Sequence, residues 1–347
     1  MSTSSGLRGR MDTAVRLLSR AFTESRRPSL SVGLLGEARM QAAAEALALH
    51  RPEALALCAR ADAGELEAGE AFGRLAERAL ADMRARVLEK ARAFGLVESL
   101  AARAHARWND TDEPELLDDP NLDREMRVRI LEHLDQTNTL VGIYASFFRA
   151  MEPLFDGPTR VLDLAAGHGG FAIAATKIAG LKGLDVHVTA SDLKPEYLEI
   201  GRSLAHRERV DVGFAVQDAL DLSGLAPGAY DVIVCTQSLH HFPPSMVARM
   251  FREAARAAGR GVVFVDGCRS MAHAVAIAGL GVLRFNDRAF AHDAWVSFRR
   301  FFAPEELGLL ARLGPEGDRT LAKWMRPAHC LVHLDKRPAS GSAQNAA

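Results

Sequence analysis

The sequence has few of the features that mark secreted, zinc-binding or membrane proteins. Its 347 residues include four cysteines, which lie far apart and form no C-x-x-C pair. This spacing argues against a disulfide framework and against a structural zinc site. The longest apolar run, Met271 to Leu283, is interrupted by His273 and is shorter than the roughly 18 to 20 residues that span a bilayer. We therefore expect a cytoplasmic protein with no membrane segment.

A strong net charge is also absent. The chain has 43 Lys and Arg residues against 44 Asp and Glu residues, which gives a formal charge of -1. Without a net field, nothing draws nucleic acid or an anionic membrane to the protein over a distance. A small-molecule partner is favoured, and a symmetric homodimer is the default oligomeric state.

Aromatic residues are scarce in the first part of the chain. Residues 1–110 contain only Phe22, Phe72, Phe94 and Trp108, and they are rich in Ala, Leu, Arg and Glu. These four residue types favour helices. The composition predicts an all-helical region that serves as a lid, a dimer interface or a docking surface.

An acidic segment, Asp110 to Asp119, follows this region and contains no basic residue. Pro114 and Pro120 bound its acidic core, which predicts a linker or an exposed corner. Nothing in the sequence brings its carboxylates together, so we expect them to be solvated and not to bind a metal. Residues 111–158 as a whole are expected to hold this linker and the helices that cover the functional site.

Residues 159–336 alternate short apolar runs with helical stretches, which is typical of a parallel sheet covered by helices on both faces. The predicted strands are Arg160–Leu164, Asp185–Ala190, Asp211–Val216, Asp231–Cys235 and Gly261–Val265, with a closing antiparallel hairpin of Leu321–Met325 and Cys330–Leu334. The predicted helices are Gly170–Leu181, Pro195–His206, Pro244–Ala258 and Pro304–Leu313. Residues 337–347 are expected to form a flexible tail.

A glycine turn links the first predicted strand to the first predicted helix of this part. Gly167 and Gly169 allow a tight turn in which backbone N–H groups approach a ligand. This spacing also fits a dinucleotide-binding fingerprint. Asp163 separates the two interpretations, because a carboxylate ahead of the turn would repel a pyrophosphate. It suits a cofactor that carries an ammonium and a sulfonium group, such as S-adenosylmethionine (SAM).

Acidic residues also follow the next two predicted strands. Asp192 is placed to accept hydrogen bonds from both ribose hydroxyls, and Asp218 is placed to accept one from an adenine amino group. The complete predicted cofactor site consists of Tyr144, Asp163, Ala165, Gly167, Gly169, Asp192, Leu193, Asp218, Ala219, Thr236 and Gln237.

These residues resemble the class I SAM-dependent methyltransferases. Asp163 to Gly169 is similar to the first motif of that family, and Leu239 to Phe242 (LHHF) is similar to its motif after the fourth strand. Ala165 departs from the family, which commonly has Gly there. The resemblance covers about 159 to 335 and implies an α/β fold, with a doubly wound, seven-stranded, Rossmann-like sheet behind the N-terminal helical region.

A second likeness is to bacterial small-molecule methyltransferases of polyketide and phenol type. It depends on three stretches of the sequence, which extend the resemblance back to about residue 115. They are Leu117 to Asp123 continuing to Asn138, Asp266-x-x-Arg269, and His292-Asp293 followed by Ser297 to Arg300.

Catalysis is assigned to three residues at the ends of the fourth and fifth predicted strands. His240 and His241 follow the fourth strand, at the sheet edge where open α/β sheets bind ligands. Histidine suits the acceptance of a phenol or alcohol proton near neutral pH. Asp266 ends the fifth strand and is placed to orient one of the two rings. The sequence does not decide which histidine is the base, and we predict no metal.

The substrate side is predicted from aromatic and polar residues on both sides of the sheet. Residues 270–302 form an aromatic-rich insertion that would cap the pocket and stack on a flat substrate. The candidate substrate-binding residues are Asn138, Phe148, Arg269, Phe290 and Trp295.

These assignments predict methyl transfer from SAM to a hydroxyl of an aromatic, polyketide-like or quinone-like small molecule. Methylation of a ring carbon is the nearest variant, because a deprotonated phenol also activates its ring. A nicotinamide-dependent dehydrogenase fits the glycine spacing but leaves Asp163 and Asp218 without a role. A non-catalytic SAM-binding scaffold is a further alternative, with the helical region as its interaction surface.

Overall fold

The computed structural model describes residues 35–109, 111, 113–326 and 328–338. The described part of the N-terminal region is helical, as predicted, and its helices are α1 (Gly36–Asp62), α2 (Leu66–Phe94) and α3 (Leu96–Asn109). Residues 1–34 and most of the predicted tail lie outside the described residues. No helix in the described ranges combines the length and apolar character that a membrane span requires.

Two helices follow the acidic segment, whose residues Leu116–Asp118 form a 3-10 turn. They are α4 (Arg124–Leu140) and α5 (Ile143–Met151). Asp123 begins α4 as an N-cap, because its carboxylate accepts a hydrogen bond from the backbone N–H of Met126 at 3.0 Å.

The remaining chain alternates strands and helices, close to the predicted boundaries. The strands are β1 (Thr159–Leu164), β2 (Val186–Asp192), β3 (Gly213–Val216), β4 (Tyr230–Thr236), β5 (Ala258–Gly267), β6 (Thr320–Met325) and β7 (His329–Asp335). The helices are α6 (Gly170–Lys182), α7 (Pro195–Glu208), α8 (Pro244–Ala257), α9 (Met271–Leu280), α10 (Arg288–Arg300) and α11 (Pro304–Arg312).

The strands form one seven-stranded sheet in the order β3-β2-β1-β4-β5-β7-β6. The first five strands pair in parallel, whereas β7 is antiparallel to both β5 and β6. The predicted doubly wound sheet and its closing hairpin are therefore confirmed. The winding reverses between β1 and β4, and this switch point is where sheets of this kind bind ligands.

The N-terminal helices share a hydrophobic core with one face of the sheet. Phe72 of α2, Phe251 of α8, Phe264 of β5 and Leu310 of α11 belong to one continuous buried cluster. A second cluster on the opposite face contains Phe147 and residues of α5 and α6. The described helical region is thus packed into the sheet domain and is not a separate body.

Candidate active site

The carboxyl ends of the central strands surround a cavity of about 500 Å³, here called the outer cavity. The glycine turn forms part of its wall, and Gly167 and Gly169 both adopt positive φ angles, 56° and 76°. The backbone N–H of Gly167 donates to Asp192 at 2.9 Å. The carboxylate at the end of β2 therefore fixes the turn that follows β1.

Most of the predicted cofactor residues meet at the outer cavity. Those that line it are Tyr144, Ala165, Gly167, Asp192, Leu193, Asp218, Ala219, Thr236 and Gln237. Gly169 does not line it, because Gly169 lies behind the turn, where an added Cβ would be 3.1 Å from Ala190 and Phe214. Its role in this structure is close packing of the turn against the sheet.

Asp163 does not line the outer cavity, and its role toward the cofactor stays a prediction. Its side chain is 1% exposed, and its Oδ1 atom has no hydrogen-bond partner among the described residues. Burial, followed by repulsion from Asp192, raises the pKa of Asp163 well above its usual range. A nearby cation would oppose this rise, because it favours the carboxylate form. The acids that line the outer cavity are Asp118, Asp192 and Asp218.

Two non-glycine residues at this edge adopt left-handed backbone conformations. Ala165 has φ 49° and Gln237 has φ 56°. The carbonyl of Ala165 accepts a hydrogen bond from the Ser238 hydroxyl at 2.7 Å. The side-chain amides of Gln237 and Asn138 pair with each other at 2.7 and 3.2 Å. Such backbone strain clusters at functional sites.

A cluster of three polar residues forms another part of the wall, and the predictions included only Tyr144 from it. Asp135 of α4 lies 2.6 Å from Nε2 of His168 and accepts a hydrogen bond from the Tyr144 hydroxyl. An added Cβ at Gly170 would lie 2.2 Å from Asp135, so only glycine fits there. The sequence signal was the doubled glycine after His168, which the motif itself did not require.

A smaller cavity of about 130 Å³, the inner cavity, adjoins the outer cavity. The residues that line both cavities are Leu117, Leu134, Gln237 and His241. His240 lines the inner cavity, together with Asn138 and the predicted substrate residue Phe290. The structure thus brings the predicted catalytic histidines to the passage between the two spaces.

Asp266 holds His240 in one orientation. The Nδ1 atom of His240 lies 3.0 Å from both carboxylate oxygens of Asp266. The backbone N–H groups of His240 and Gly267 donate to the same carboxylate at 2.8 and 2.7 Å. Since Asp266 is fully buried, these donors stabilise its charge, and Nε2 of His240 is left for a different partner.

That partner comes from the acidic segment, which corrects its prediction as an exposed linker. Glu115 is 4% exposed, and its carboxylate lies 3.5 Å from Nε2 of His240 and 3.9 Å from Nε2 of His241. The segment is held down because Asp293 of α10 accepts the backbone N–H groups of Leu116 and Leu117 at 2.7 and 3.1 Å. An acid-rich pattern does not reveal a partner so distant in the sequence.

His241 is surrounded by acidic groups. Its Nδ1 atom lies 3.1 Å from Asp118, which also pairs with Arg300 at 3.0 Å. Burial by itself would lower the pKa of His241, but Glu115 and Asp118 outweigh it and raise the pKa to about 9. His241 is therefore a cation at neutral pH, whereas the ring of His240 is held between Asp266 at Nδ1 and Glu115 near Nε2.

The same cluster is the group in the described part of the chain whose spacing suits a metal ion. Ligand atoms of Glu115, His240 and His241 all lie within 4.8 Å of one another. The protonated ring of His241 and the guanidinium of Arg300, 3.9 Å from Glu115, oppose an added cation electrostatically. On this balance of charge we keep the prediction that the site works without a metal.

Three predicted substrate residues do not reach either cavity. Phe148 is fully buried in the core of the opposite sheet face, where it packs against Phe155. Trp295 packs edge-to-face on Trp108 at 6.1 Å. Phe148 is therefore a core residue and not a substrate contact, whereas the role of Trp295 stays a prediction.

Arg269 is the third residue that does not reach the cavities. It is buried at the end of β5 and pairs with Glu306 of α11 at 3.2 Å. The aromatic insertion does contribute to the inner cavity through Phe290, Phe298 and Phe301. Of the two residues predicted from the insertion, Phe290 therefore lines the inner cavity and Trp295 does not.

Comparison with known proteins agrees with this geometry. Residues 161–261, which include β1, the glycine turn, β4 and both histidines, match a family model described as a methyltransferase domain. This segment of the chain is thus similar to a methyltransferase domain. The predicted resemblance is confirmed at this level, whereas the finer likeness through the Leu239–Phe242 motif stays a prediction.

Two relatives bear the name ubiquinone biosynthesis O-methyltransferase. The protein from Xanthomonas campestris pv. campestris (strain B100) is 28% identical over 157 residues, which are 44% of this chain and 60% of the relative. The protein from Xanthomonas oryzae pv. oryzae (strain PXO99A) is 27% identical over 157 residues, which are again 44% of this chain and 60% of the relative. The chain thus spans about 60% of the length of the curated relatives that it matches.

Solved structures of low identity also match. Magnesium protoporphyrin IX methyltransferase from Synechocystis PCC 6803, with bound SAH, is 16% identical, with a TM-score of 0.39 over 68% of this chain and 95% of that chain.

Proposed function

We propose that this protein transfers a methyl group from SAM to a hydroxyl of an aromatic, polyketide-like or quinone-like small molecule, with His240 as the general base. The observation that carries the proposal is the junction of the two cavities at Gln237 and His241. One cavity has the acidic lining that suits a cationic cofactor. The other has aromatic walls and an oriented histidine.

The residues present fit the cofactor. Asp192 and Asp218 line the outer cavity and would accept hydrogen bonds from ribose hydroxyls and from an adenine amino group. The Oδ1 atom of Asp163 is buried beneath the glycine turn and has no hydrogen-bond partner among the described residues. With SAM bound, the positive charge of the cofactor would lie near this atom and would stabilise the carboxylate. SAM supplies a methyl group that is already activated by its sulfonium.

The protein's own task is to position the acceptor and remove its proton. Asp266 fixes the ring of His240 so that Nε2 faces the inner cavity, where it would take the hydroxyl proton. Asp266 then stabilises the imidazolium. His241, held as a cation by Glu115 and Asp118, would stabilise a developing oxyanion. Phe290, Phe298 and Phe301 would hold the flat body of the acceptor.

The names of the Xanthomonas relatives support an O-methyl acceptor of quinone type, which we carry over as part of the proposal. The test begins with calorimetry of the protein with SAM, S-adenosylhomocysteine and NADH. Binding of NADH without SAM would overturn the proposal. Labelled SAM incubated with an extract of small aromatic metabolites then identifies the acceptor, and label attached to carbon instead of oxygen would correct the reaction type.

The homodimer also belongs to this proposal. The described helices α1 to α3 contribute no residue to the lining of either cavity, which favours a dimer interface or a docking surface over the other predicted role, a lid. Sedimentation of the full chain tests the dimer, and a monomer at micromolar concentration would exclude it.

A further inference from the structure

A third cavity lies between the N-terminal helices and the end of β5. None of the proposed catalytic residues lines it. It measures about 400 Å³, within the usual range for small-molecule sites. Four arginines line it, with His105, Asn109 and Glu306 as the other polar groups. The arginines of this arginine cavity are Arg39, Arg84, Arg107 and Arg269.

Two of these arginines already have a partner. Glu306 receives Arg84 at 2.7 Å and Arg269 at 3.2 Å, and its remaining contact is the backbone N–H of Ala303 at 2.9 Å. The pKa of Glu306 is held well below its usual range, because the two arginines outweigh the effect of its burial. Its single negative charge is therefore shared between two guanidinium groups.

Arg39 has no ion-pair partner among the described residues. It is 7% exposed, and among the described residues no carboxylate lies within ion-pair distance and no hydrogen bond to its guanidinium is formed. The nearby Glu305 is buried, and its Oε2 has no hydrogen-bond partner among the described residues; burial raises the pKa of Glu305, and the charge of Arg39 offsets part of that rise. A buried, unpaired charge is costly, so a structure that keeps one at a cavity wall calls for a ligand.

The other polar groups of the cavity are also open to a ligand. Nε of Arg269 and Oδ1 of Asn109 are buried without a hydrogen-bond partner in the described part of the protein. Burial first, and then Arg39 and Arg269, lower the pKa of His105 to about 4, so its ring is neutral at pH 7 and adds no competing charge. Grouped guanidinium groups bind phosphate through paired N–H donors.

We propose that the arginine cavity binds the phosphate group of a small organic phosphate, through Arg39 with Arg107 and Arg269. This site goes beyond the methyl-transfer function and does not depend on it. The cavity is open and larger than a single phosphate ion, which leaves room for the organic part of the ligand. The acidic outer cavity could not take such a ligand, because its own carboxylates would repel it.

The test uses the full chain and measures Tm with inorganic phosphate and with glycerol 3-phosphate, each compared with NaCl at the same ionic strength. We expect either phosphate to raise Tm by about 2 °C at ten times its Kd. We expect glycerol 3-phosphate to bind at least tenfold more tightly than inorganic phosphate. Equal binding would overturn the assignment to an organic phosphate, and no shift beyond that in NaCl would overturn the site.

Arg39→Met separates a binding role from a structural one, because Met retains an apolar stem and removes the charge. If Arg39 awaits a ligand, Arg39→Met keeps or raises Tm in the absence of phosphate and weakens phosphate binding at least tenfold. A lower Tm without phosphate, or an unchanged phosphate response, would contradict the proposal.

Two further variants keep the test decisive if Arg39→Met fails to fold. Arg107 is exposed at the mouth of the cavity, so Arg107→Met should fold normally and weaken phosphate binding severalfold. Arg103 is exposed on the same helix but lies outside the lining, and Arg103→Met is the matched control that should respond like the wild type. Equal behaviour of the two variants would count against the site.

Discussion

The outer cavity has an acidic lining and the arginine cavity a basic one, and the end of β5 with the residues after it runs from the inner cavity, at Gly267, to the arginine cavity, at Arg269. Asp266 orients the base beside the inner cavity, whereas Arg269 points into the other region and pairs with Glu306. The outer cavity lies at the carboxyl ends of the strands, whereas the arginine cavity is lined mainly by residues of α1, α2 and α3. The difference between them teaches that the fold sets where a ligand can bind, while the sign of the buried side chains sets which ligand.

The largest effect should come from the base. His240→Gln keeps a polar side chain but cannot accept a proton, so kcat for methylation of an identified acceptor should fall by about 10² to 10⁴. SAM affinity and the phosphate response of the arginine cavity should not change, which would separate the two regions. His187→Gln, at an exposed position of β2, is the matched control. An unchanged kcat in His240→Gln would remove the base role.

The next largest effect is on the free energy of unfolding, which should change with pH. The pKa of His241 is about 9 in the folded protein and about 6.5 in the unfolded chain, so its contribution is fully present below pH 6.5 and is lost as the pH rises through 9. The upper limit of this loss is about 3 kcal/mol, reduced by solvent screening. Urea unfolding between pH 6 and 10 measures it.

The control for this pH dependence is His241→Asn, which has no titrating ring. Its unfolding free energy should be flatter over the same pH range than that of the wild type. The arginine cavity has no group of this kind in its lining, since His105 stays neutral. A wild type and a variant with parallel profiles would contradict the raised pKa of His241.

Substitution of an acidic residue in the outer cavity should have a smaller effect, which is on SAM affinity. Asp218→Asn keeps the shape of the residue but weakens a hydrogen bond to a charged acceptor by about 1.5 kcal/mol, so SAM should bind about tenfold more weakly. Asp185→Asn, before β2 and away from the outer cavity, is the control. Calorimetry with both variants decides whether the acidic lining selects the cofactor.

Ala165→Gly should have a still smaller effect, and of the opposite sign. Because Ala165 is held at φ 49°, glycine would relieve backbone strain and raise the free energy of unfolding by about 1 kcal/mol. Denaturant unfolding measures the gain. A loss of stability would show that the methyl group of Ala165 makes contacts worth more than the strain.

The smallest expected effect is that of a chelator. Dialysis of the full chain against EDTA should leave the rate of methyl transfer unchanged, because His241 and Arg300 already compensate the charge of Glu115. A rate that falls with EDTA and returns with a divalent ion would assign Glu115, His240 and His241 to a metal.

The strands and the sheet-edge residues could be predicted because they depend on local pattern. Apolar runs give strands, and acids after parallel strands converge on one edge whatever the details of packing. Asp192 and Asp218 are of this kind. The closing hairpin was equally predictable from the two apolar runs and the Pro327 between them.

The remaining features depend on contacts between distant parts of the chain. Glu115 looked like one of several solvated acids, and only the docking of its backbone onto Asp293 brings it to His240. Phe148 and Phe290 are the same residue type in similar patterns, yet one is core and the other lines the inner cavity. Arg39 was one arginine among many, and its lack of an ion-pair partner among the described residues is visible only in three dimensions.

The continuous core between α2, α8 and α11 has a practical consequence for anyone who wishes to isolate the catalytic part. The segment that matches the family model is 161–261, but its helix α8 packs in one buried cluster with Phe72 and its neighbours on α2. A fragment that starts at the acidic segment would expose this apolar face of α8 to water and would aggregate. The smallest fragment of this chain that can fold on its own is therefore much larger than residues 161–261, the segment that matches the family model.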